Sequence, residues 1–204
     1  MATSRAVIFD IGGVLLRLGT QEYLDEMRKV LGREGVDGIT TEMWHKLERG
    51  ELDEEELWER IAGRPMPHDT FDDAFLRHFT PMEAMLAFAR ELRQAGVRTA
   101  ILSNTIRSHV RAMRRMGFLD EFDPVVLSCE IGSRKPEPEA IGRVIDVLGL
   151  PPERIAYIDD VPAYVEMGRQ AGVYAVLHED DVDATRRAIL GWLDGAAGEE
   201  AGAL

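Results

Sequence analysis

The chain has only one cysteine, Cys129, among its 204 residues. A single cysteine excludes a disulfide bond within the chain and is typical of proteins that stay in a reducing compartment such as the cytoplasm. The residues around Cys129 form no nucleophile motif, so we expect its side chain to be a small buried apolar group.

Long apolar runs are also missing from the sequence. The first apolar stretch, 6–16, is interrupted by Asp10, Gly12 and Gly13. It is much shorter than the roughly 20 residues that a membrane-spanning helix needs, and it lacks the form of a secretory signal. We therefore expect a cytoplasmic protein with no membrane partner.

Positive charge is scarce, with 24 Lys and Arg against 37 Asp and Glu and a net charge of −13. Proteins that bind nucleic acids need clustered Lys and Arg, so we expect no nucleic-acid partner. The hydrophobic share of 45% and the charged share of 30% are typical of a globular domain. A chain of this length can bury a full core without disulfides or a structural metal.

Short apolar runs alternate with helical patterns through much of the sequence. A continuous apolar run indicates a strand that is buried on both faces, as in a parallel sheet. Such runs occur at 6–9, 99–102, 125–127, 155–158 and 173–177. This alternation predicts an α/β fold, with a doubly wound parallel sheet as a Rossmann-like core.

The segment that follows the first strand has a different character. Between 20 and 78 the charges are dense, apolar residues fall at helical spacing and no strand pattern appears, so we expect three or four short helices. We therefore divide the chain into an α/β hydrolase-type core at 1–16 and 82–194, an inserted α-helical cap at 17–81 and a flexible tail at 195–204.

Residues that suit ligand binding follow the predicted strands, where open α/β sheets bind their ligands. They are Asp10, Gly12 and Gly13 after the first strand, Ser103 and Asn104 after the second, Lys135 a few residues beyond the third, and Asp159 and Asp160 after the fourth. We expect the three carboxylates, the hydroxyl, the amide and the ammonium of this set to converge on one edge of the sheet.

Three carboxylates that meet at one edge repel one another. Two unit charges ~4 Å apart cost about 4 kcal/mol at an effective dielectric constant near 20, so the cluster needs a cation or a raised pKa. Oxygen donors without His or Cys indicate a hard ion, and Mg²⁺ is the first choice. Lys135 would balance the remaining charge.

Each of these residues also fits an ordinary structural role. Asp10 alone fits a turn or a helix cap, Ser103-Asn104 fits a helix N-cap, and Asp159-Asp160 fits a cap for a helix that begins near Pro162. The order of the groups and their place after successive strands favour the functional interpretation.

This ordered set resembles the haloacid dehalogenase superfamily of hydrolases over about residues 5–180. The matching motifs are Phe9-Asp10-Ile11-Gly12-Gly13-Val14-Leu15, Leu102-Ser103-Asn104, Arg134-Lys135-Pro136-Glu137-Pro138 and Tyr157-Ile158-Asp159-Asp160. The helical insertion is similar to the small α-helical (C1-type) cap of one subclass, and 44–52 resembles the cap loop that faces substrate. Most members are phosphatases of small metabolites, and a minority cleave carbon–halogen bonds.

The resemblance implies a Mg²⁺-dependent phosphatase that hydrolyses phosphate monoesters of small metabolites through an aspartyl-phosphate. Asp10 would be the nucleophile, Ser103 and Asn104 would hold the phosphoryl group, and Lys135 would support its charge. The implied metal ligands are Asp10, the backbone carbonyl of Gly12, Asp160, and Asp159 directly or through water. The implied substrate-facing residues are Gly13, Asn104, His45 and Glu48.

One position departs from the pattern of the superfamily. Members usually have a second Asp two residues after the nucleophile, which protonates the leaving oxygen and then activates water, but this chain has Gly12. General acid–base help is typically worth ~10² to 10⁴ in rate. We therefore expect a preference for good leaving groups, such as aryl, acyl or sugar-1-phosphates, unless His45 or Glu48 supplies the proton. Tyr164 is a second departure, where relatives often have Asn.

Two other functions remain open. A carbon–halogen hydrolase also uses an aspartate nucleophile but needs no metal, and Asp159-Asp160 argues against it. A chain that has lost catalysis at Gly12 would instead bind a phosphorylated ligand. The sequence specifies neither the substrate nor the oligomeric state.

Overall fold

A parallel five-stranded sheet forms the centre of the structure, a computed structural model that describes residues 5–201. The strands are, in chain order, β1 (Ala6–Phe9), β2 (Leu16–Leu18), β3 (Phe79–Pro81), β4 (Arg98–Ser103), β5 (Val125–Leu127), β6 (Ile155–Asp159) and β7 (Tyr174–Leu177). The sheet has the order β5-β4-β1-β6-β7, and all its pairs are parallel. The predicted parallel α/β sheet is confirmed.

The segment between β2 and β3 is helical. Its helices are α1 (Thr20–Leu31), α2 (Arg33–Asp37), α3 (Thr41–Glu48), α4 (Glu54–Ala62) and α5 (Thr70–His78). We predicted three or four helices; the described part has five, because α2 is too short to show a periodic pattern in the sequence. We call Thr20–His78 the helical insertion.

The strands β2 and β3 form an antiparallel ribbon at the base of the helical insertion. The domain boundaries that we predicted, at 16/17 and 81/82, fall on this ribbon. The role of the helical insertion as a cap stays a prediction.

Helices pack on both faces of the sheet. They are α6 (Glu83–Gln94), α7 (Arg107–Arg115), α8 (Ser128–Ile131), α9 (Pro138–Leu148), α10 (Pro162–Gln170) and α11 (Val182–Ala201). Successive residues of a strand point to opposite faces, so Val7 and Phe9 join one apolar cluster while Ala6 and Ile8 join another. Burial on both faces explains why the sequence shows unbroken apolar runs.

The helical insertion is fixed on α7 by two buried carboxylates. Glu54 accepts hydrogen bonds from the Ser108 backbone N at 2.9 Å, from Trp58 Nε1 at 3.0 Å and from Ser108 Oγ. Asp72 accepts from Arg111 Nε at 3.0 Å and from a second Arg111 nitrogen at 2.9 Å. We call Glu54 and Asp72 the seam carboxylates.

The last helix continues further than the sequence suggested. We expected a flexible tail at 195–204, but α11 continues to Ala201, and residues 202–204 lie outside the described residues. Among the helices that the structure describes, none combines the length and the apolar character that crossing a bilayer requires.

Candidate active site

Carboxylates from two neighbouring strands meet at one edge of the sheet. Asp10 follows β1, and its backbone N donates to the Ile158 carbonyl at 2.9 Å, so it lies beside the end of β6. Asp10, Asp159 and Asp160 each offer an oxygen, and these oxygens lie within 4.8 Å of one another. We call these three residues the strand-end carboxylates.

Lys135 joins two of the strand-end carboxylates. Its side chain is fully buried, and Nζ lies 2.9 Å from Asp10 Oδ1 and 2.6 Å from Asp159 Oδ2. The ammonium also lies 4.9 Å from the centre of the Tyr164 ring, within the range of a cation–π interaction. The predicted lysine therefore contacts the nucleophile candidate directly.

Burial and mutual repulsion disturb the titration of these groups. Burial raises the pKa of Asp10 to about 7, although Lys135 opposes this shift. Burial and the charge of Asp159 also raise the pKa of Asp160. Burial alone would lower the pKa of Lys135, but the charges of Asp10 and Asp159 outweigh it and keep that pKa above its ordinary value. This cluster of carboxylates around one ammonium fits a site for a divalent cation.

Asp159 and Asp160 have different surroundings. Both oxygens of the buried Asp159 accept hydrogen bonds from the protein: Oδ2 from Lys135 and the Tyr157 hydroxyl, and Oδ1 from the Val161 backbone N at 2.8 Å. Asp160 is exposed. Asp159 therefore orients Lys135, while the carboxylate of Asp160 is the more accessible of the two to a cation.

Gly13 makes room for Asp160. A Cβ at position 13 would lie 2.1 Å from Asp160 Oδ2, and the φ angle of 72° favours glycine there. At Gly12, by contrast, a Cβ would meet no atom within 4 Å. The fold therefore requires glycine at position 13 but has space for a side chain at position 12.

Asn104 is engaged with the backbone of Lys135. Its Nδ2 donates to the Lys135 carbonyl at 3.0 Å and to the Tyr164 hydroxyl at 3.3 Å, while its Oδ1 accepts from the Lys135 N at 2.8 Å. This side chain fixes the backbone that carries Lys135, and its expected contact with the phosphoryl group stays a prediction. Ser103 is buried at the end of β4, with Oγ 3.5 Å from the Asn104 carbonyl, the limit of a hydrogen bond.

The helical insertion reaches the loop that carries Lys135. Glu48 is buried and accepts from Arg134 Nε at 2.6 Å, and Arg49 pairs with Glu137, with Nε 2.9 Å from the carboxylate. Glu48 is therefore paired rather than free to face a substrate. His45 is half-buried in α3, and among the described residues it has no side-chain partner that would orient it.

Sequence reasoning missed the two tyrosines that surround Lys135. Tyr157 precedes Asp159 by two residues in β6, so both side chains lie on the same face of the sheet, and this spacing could have indicated their contact. Tyr164 was noted only as a departure from a pattern. Its contact with Lys135 depends on how α10 packs, which the sequence does not show.

Comparisons with known proteins identify a family and several similar chains. Residues 4–172 match the model of the family described as haloacid dehalogenase-like hydrolase. The chain is 25% identical to Phosphatase MT3486 of Mycobacterium tuberculosis over 84% of this chain and 86% of that protein. It is 28% identical to drimenol cyclase drtB of Aspergillus calidoustus over 87% of this chain, but it spans only 34% of the length of that cyclase. It spans about a fifth of several other curated relatives.

Solved structures show a similar fold. A HAD family enzyme from Bacteroides thetaiotaomicron, in complex with magnesium and inorganic phosphate, superposes with a TM-score of 0.76 and 21% sequence identity. The match covers 87% of this chain and 95% of that one.

Proposed function

Because the chain belongs to the haloacid dehalogenase-like hydrolases, we propose that it is a Mg²⁺-dependent phosphatase of small phosphorylated metabolites. The observation that carries this proposal is the contact of buried Lys135 with both Asp10 and Asp159, beside the accessible Asp160. The similarity to Phosphatase MT3486 supports the reaction class. The similar fold of an enzyme that binds magnesium and phosphate is consistent with the cofactor. We expect the enzyme to act in the cytoplasm.

Asp10 is the proposed nucleophile. Its carboxylate attacks phosphorus, the bond from phosphorus to the leaving oxygen breaks, and the leaving group departs with the electron pair. Water then attacks the aspartyl-phosphate, which releases inorganic phosphate and restores the Asp10 carboxylate. Lys135 donates hydrogen bonds to the transferring group, and Asn104 keeps Lys135 in place through its backbone.

The strand-end carboxylates are the proposed ligands of the cation, with Asp10 and Asp160 as direct ligands and the Gly12 carbonyl beside them. When bound, Mg²⁺ would offset the negative charge of the carboxylates and the phosphate. Asp159 acts through Lys135 or through water, because its own oxygens already accept hydrogen bonds from the protein.

The leaving group needs a proton that Gly12 does not supply. Glu48 is an unsuitable donor because it is paired with Arg134, which leaves His45 as the candidate from the helical insertion. We therefore propose a preference for good leaving groups, such as aryl phosphates or sugar-1-phosphates. A comparison of kcat/KM on an aryl and a simple alkyl phosphate tests this, and equal values would contradict it.

A panel of phosphate esters, with Mg²⁺ and with EDTA, tests the proposed reaction. We expect hydrolysis that requires Mg²⁺ and that Asp10→Asn abolishes. Activity on a haloacid in the presence of EDTA would instead indicate a carbon–halogen hydrolase. Absence of hydrolysis across the panel, with phosphate binding retained, would indicate a ligand-binding protein.

A further inference from the structure

Tyr164 is linked to both ends of Lys135. The centre of its ring lies 4.9 Å from Lys135 Nζ. Its hydroxyl accepts a hydrogen bond from Asn104 Nδ2 at 3.3 Å, and the same Asn104 side chain binds the backbone N and the carbonyl of Lys135. Tyr164 therefore contacts the ammonium directly and the Lys135 backbone through one intervening residue.

The start of α10 fixes the position of Tyr164. Asp159 Oδ1 accepts a hydrogen bond from the Val161 backbone N at 2.8 Å, which ties the beginning of this helix to the end of β6. Tyr164 is in the first turn of α10, and its backbone N donates to the Val161 carbonyl at 2.9 Å. The carboxylate of Asp159 that contacts Lys135 thus also holds the helix that carries the ring.

A glycine lets α10 approach the sheet closely. Gly168 follows Tyr164 by four residues, so the two lie on the same side of the helix. A Cβ at position 168 would lie only 2.8 Å from Tyr157 Cδ1 and 3.0 Å from Ala175 Cβ. Because glycine has no side chain, α10 packs directly on β6 and β7, which brings Tyr164 within reach of Lys135.

Two carboxylates alone do not define the position of the Lys135 ammonium. Lysine has a flexible four-carbon stem and a compact charge with three rotatable donors. An ammonium held by Asp10 and Asp159 can therefore still move about the line that joins them. An aromatic face attracts a cation most strongly where water is absent, as it is around the fully buried Lys135. The Tyr164 ring supplies a third contact that restricts this movement.

We propose that Tyr164 is a positioning residue whose ring holds the ammonium of Lys135 against Asp10 during phosphoryl transfer. The inference rests on the proposed function, in which Lys135 donates hydrogen bonds to the transferring group. Misplacement of a reacting or supporting group by about 1 Å can cost about 10²-fold in rate. Loss of the ring should therefore slow turnover, although Tyr164 acts only through Lys135.

Three substitutions separate the ring of Tyr164 from its hydroxyl and from general effects of losing a tyrosine. Tyr164→Phe keeps the ring, Tyr164→Leu removes it, and Tyr174→Leu is the matched control at an exposed tyrosine of β7. With an aryl phosphate and MgCl₂, we expect Tyr164→Leu to lower kcat about 10-fold and to leave KM within about 3-fold of wild type. Tyr164→Phe should stay within about 3-fold of wild type in kcat, and Tyr174→Leu should match the wild type. Equal losses of kcat in the Phe and Leu variants of Tyr164, or a rise of KM alone, would overturn the role of the ring.

The surroundings of Lys135 can be measured by NMR without substrate. The chain has three lysines, of which Lys29 and Lys46 are exposed. An aromatic ring shields protons above its face, so the ε-methylene protons of Lys135 should resonate upfield of those of the two exposed lysines. The upfield shift should persist in Tyr164→Phe and become smaller in Tyr164→Leu. Three signals at one position in the wild type would overturn the inference, whatever the folding of the variants.

The two measurements separate this inference from the proposed function. If the wild type hydrolyses phosphate esters and Tyr164→Leu keeps the wild-type kcat, only the role of Tyr164 is overturned. If the wild type hydrolyses no ester of the panel, the proposed function is overturned and with it the role of Tyr164 in turnover. The resonance of Lys135 then still decides whether the ring holds the ammonium.

Discussion

Two groups of carboxylates in the described part of the chain differ in how they are neutralised. The seam carboxylates, Glu54 and Asp72, accept hydrogen bonds from Ser108, Trp58 and Arg111 and hold the helical insertion on the core. Among the strand-end carboxylates, Asp10 and Asp159 share Lys135, and burial raises the pKa of Asp10 to about 7. Side chains and backbone of the protein supply the hydrogen-bond donors of the seam carboxylates. The strand-end carboxylates are suited to bind a cation and a substrate as well. We therefore expect the seam group to control stability and the strand-end group to control activity.

The largest effect is expected on turnover, from substitution of Asp10, the proposed nucleophile. Asp10→Asn should lower phosphatase turnover by at least about 10³-fold, because no covalent intermediate can form. The thermal midpoint of the metal-free variant at pH 8 should equal or exceed that of the wild type, since Asn removes a charge that burial disfavours. Turnover and thermal unfolding are measured on the same preparation. A variant that loses stability as well as activity would remove the distinction between the two groups.

Substitution of a seam carboxylate is expected to lower stability, in contrast to the loss of turnover expected at Asp10. Glu54→Ala should lower the free energy of unfolding by about 3 kcal/mol, because it leaves buried donors of Ser108 and Trp58 unpaired. Denaturant unfolding measures this loss. Glu56→Gln is the matched control on the exposed side of the same helix, and it should change stability by less than about 0.5 kcal/mol. Equal effects of both substitutions would contradict the role of Glu54.

The titration of Asp10 predicts a pH dependence of the metal-free protein. Its pKa is about 7 in the folded state and 3.8 ordinarily, so its contribution to stability is fully present below pH ~4 and disappears as the pH rises through ~7. Between about pH 5.5 and 8.5 the loss should be roughly 2 kcal/mol. Denaturant unfolding at both pH values measures it. Asp10→Asn should remove most of the difference, and an unchanged difference would exclude Asp10 as its source.

Mg²⁺ should counteract this loss, because the cation binds the ionised carboxylates and stabilises the folded state. The rise of the thermal midpoint on adding MgCl₂ should therefore be larger at pH 8.5 than at pH 5.5. A larger rise at the lower pH would contradict ligation by Asp10.

The smallest effect is expected where the helical insertion meets the loop of Lys135. Glu48→Gln should cost about 1 kcal/mol, because the Glu48 and Arg134 side chains are 11% and 12% exposed and form one ion pair. Exchange of the charges, Glu48→Arg with Arg134→Glu, should recover part of the loss relative to the two single variants. A double variant as unstable as the sum of the single variants would show that the pair does not couple.

The strands, the helical insertion and the carboxylates beside the sheet could be predicted because each depends on local pattern. A strand buried on both faces gives an apolar run, and its carboxyl end identifies where Asp10 and Asp159 lie. The partners of Glu54, Asn104 and Tyr164 could not be predicted, because each contact joins residues from segments that only the packing of helices and loops brings together. Glu48 shows the same limit: its position near the site was inferable, but its pairing with Arg134 was not.

The space at position 12 has a consequence for which side chains this scaffold can accept. A Cβ there meets no neighbour, and the Gly12 backbone is not in the left-handed region, so the fold would accept Asp without strain. We therefore expect Gly12→Asp to widen the range of leaving groups that the proposed phosphatase accepts, without a change in the framework that supports the site.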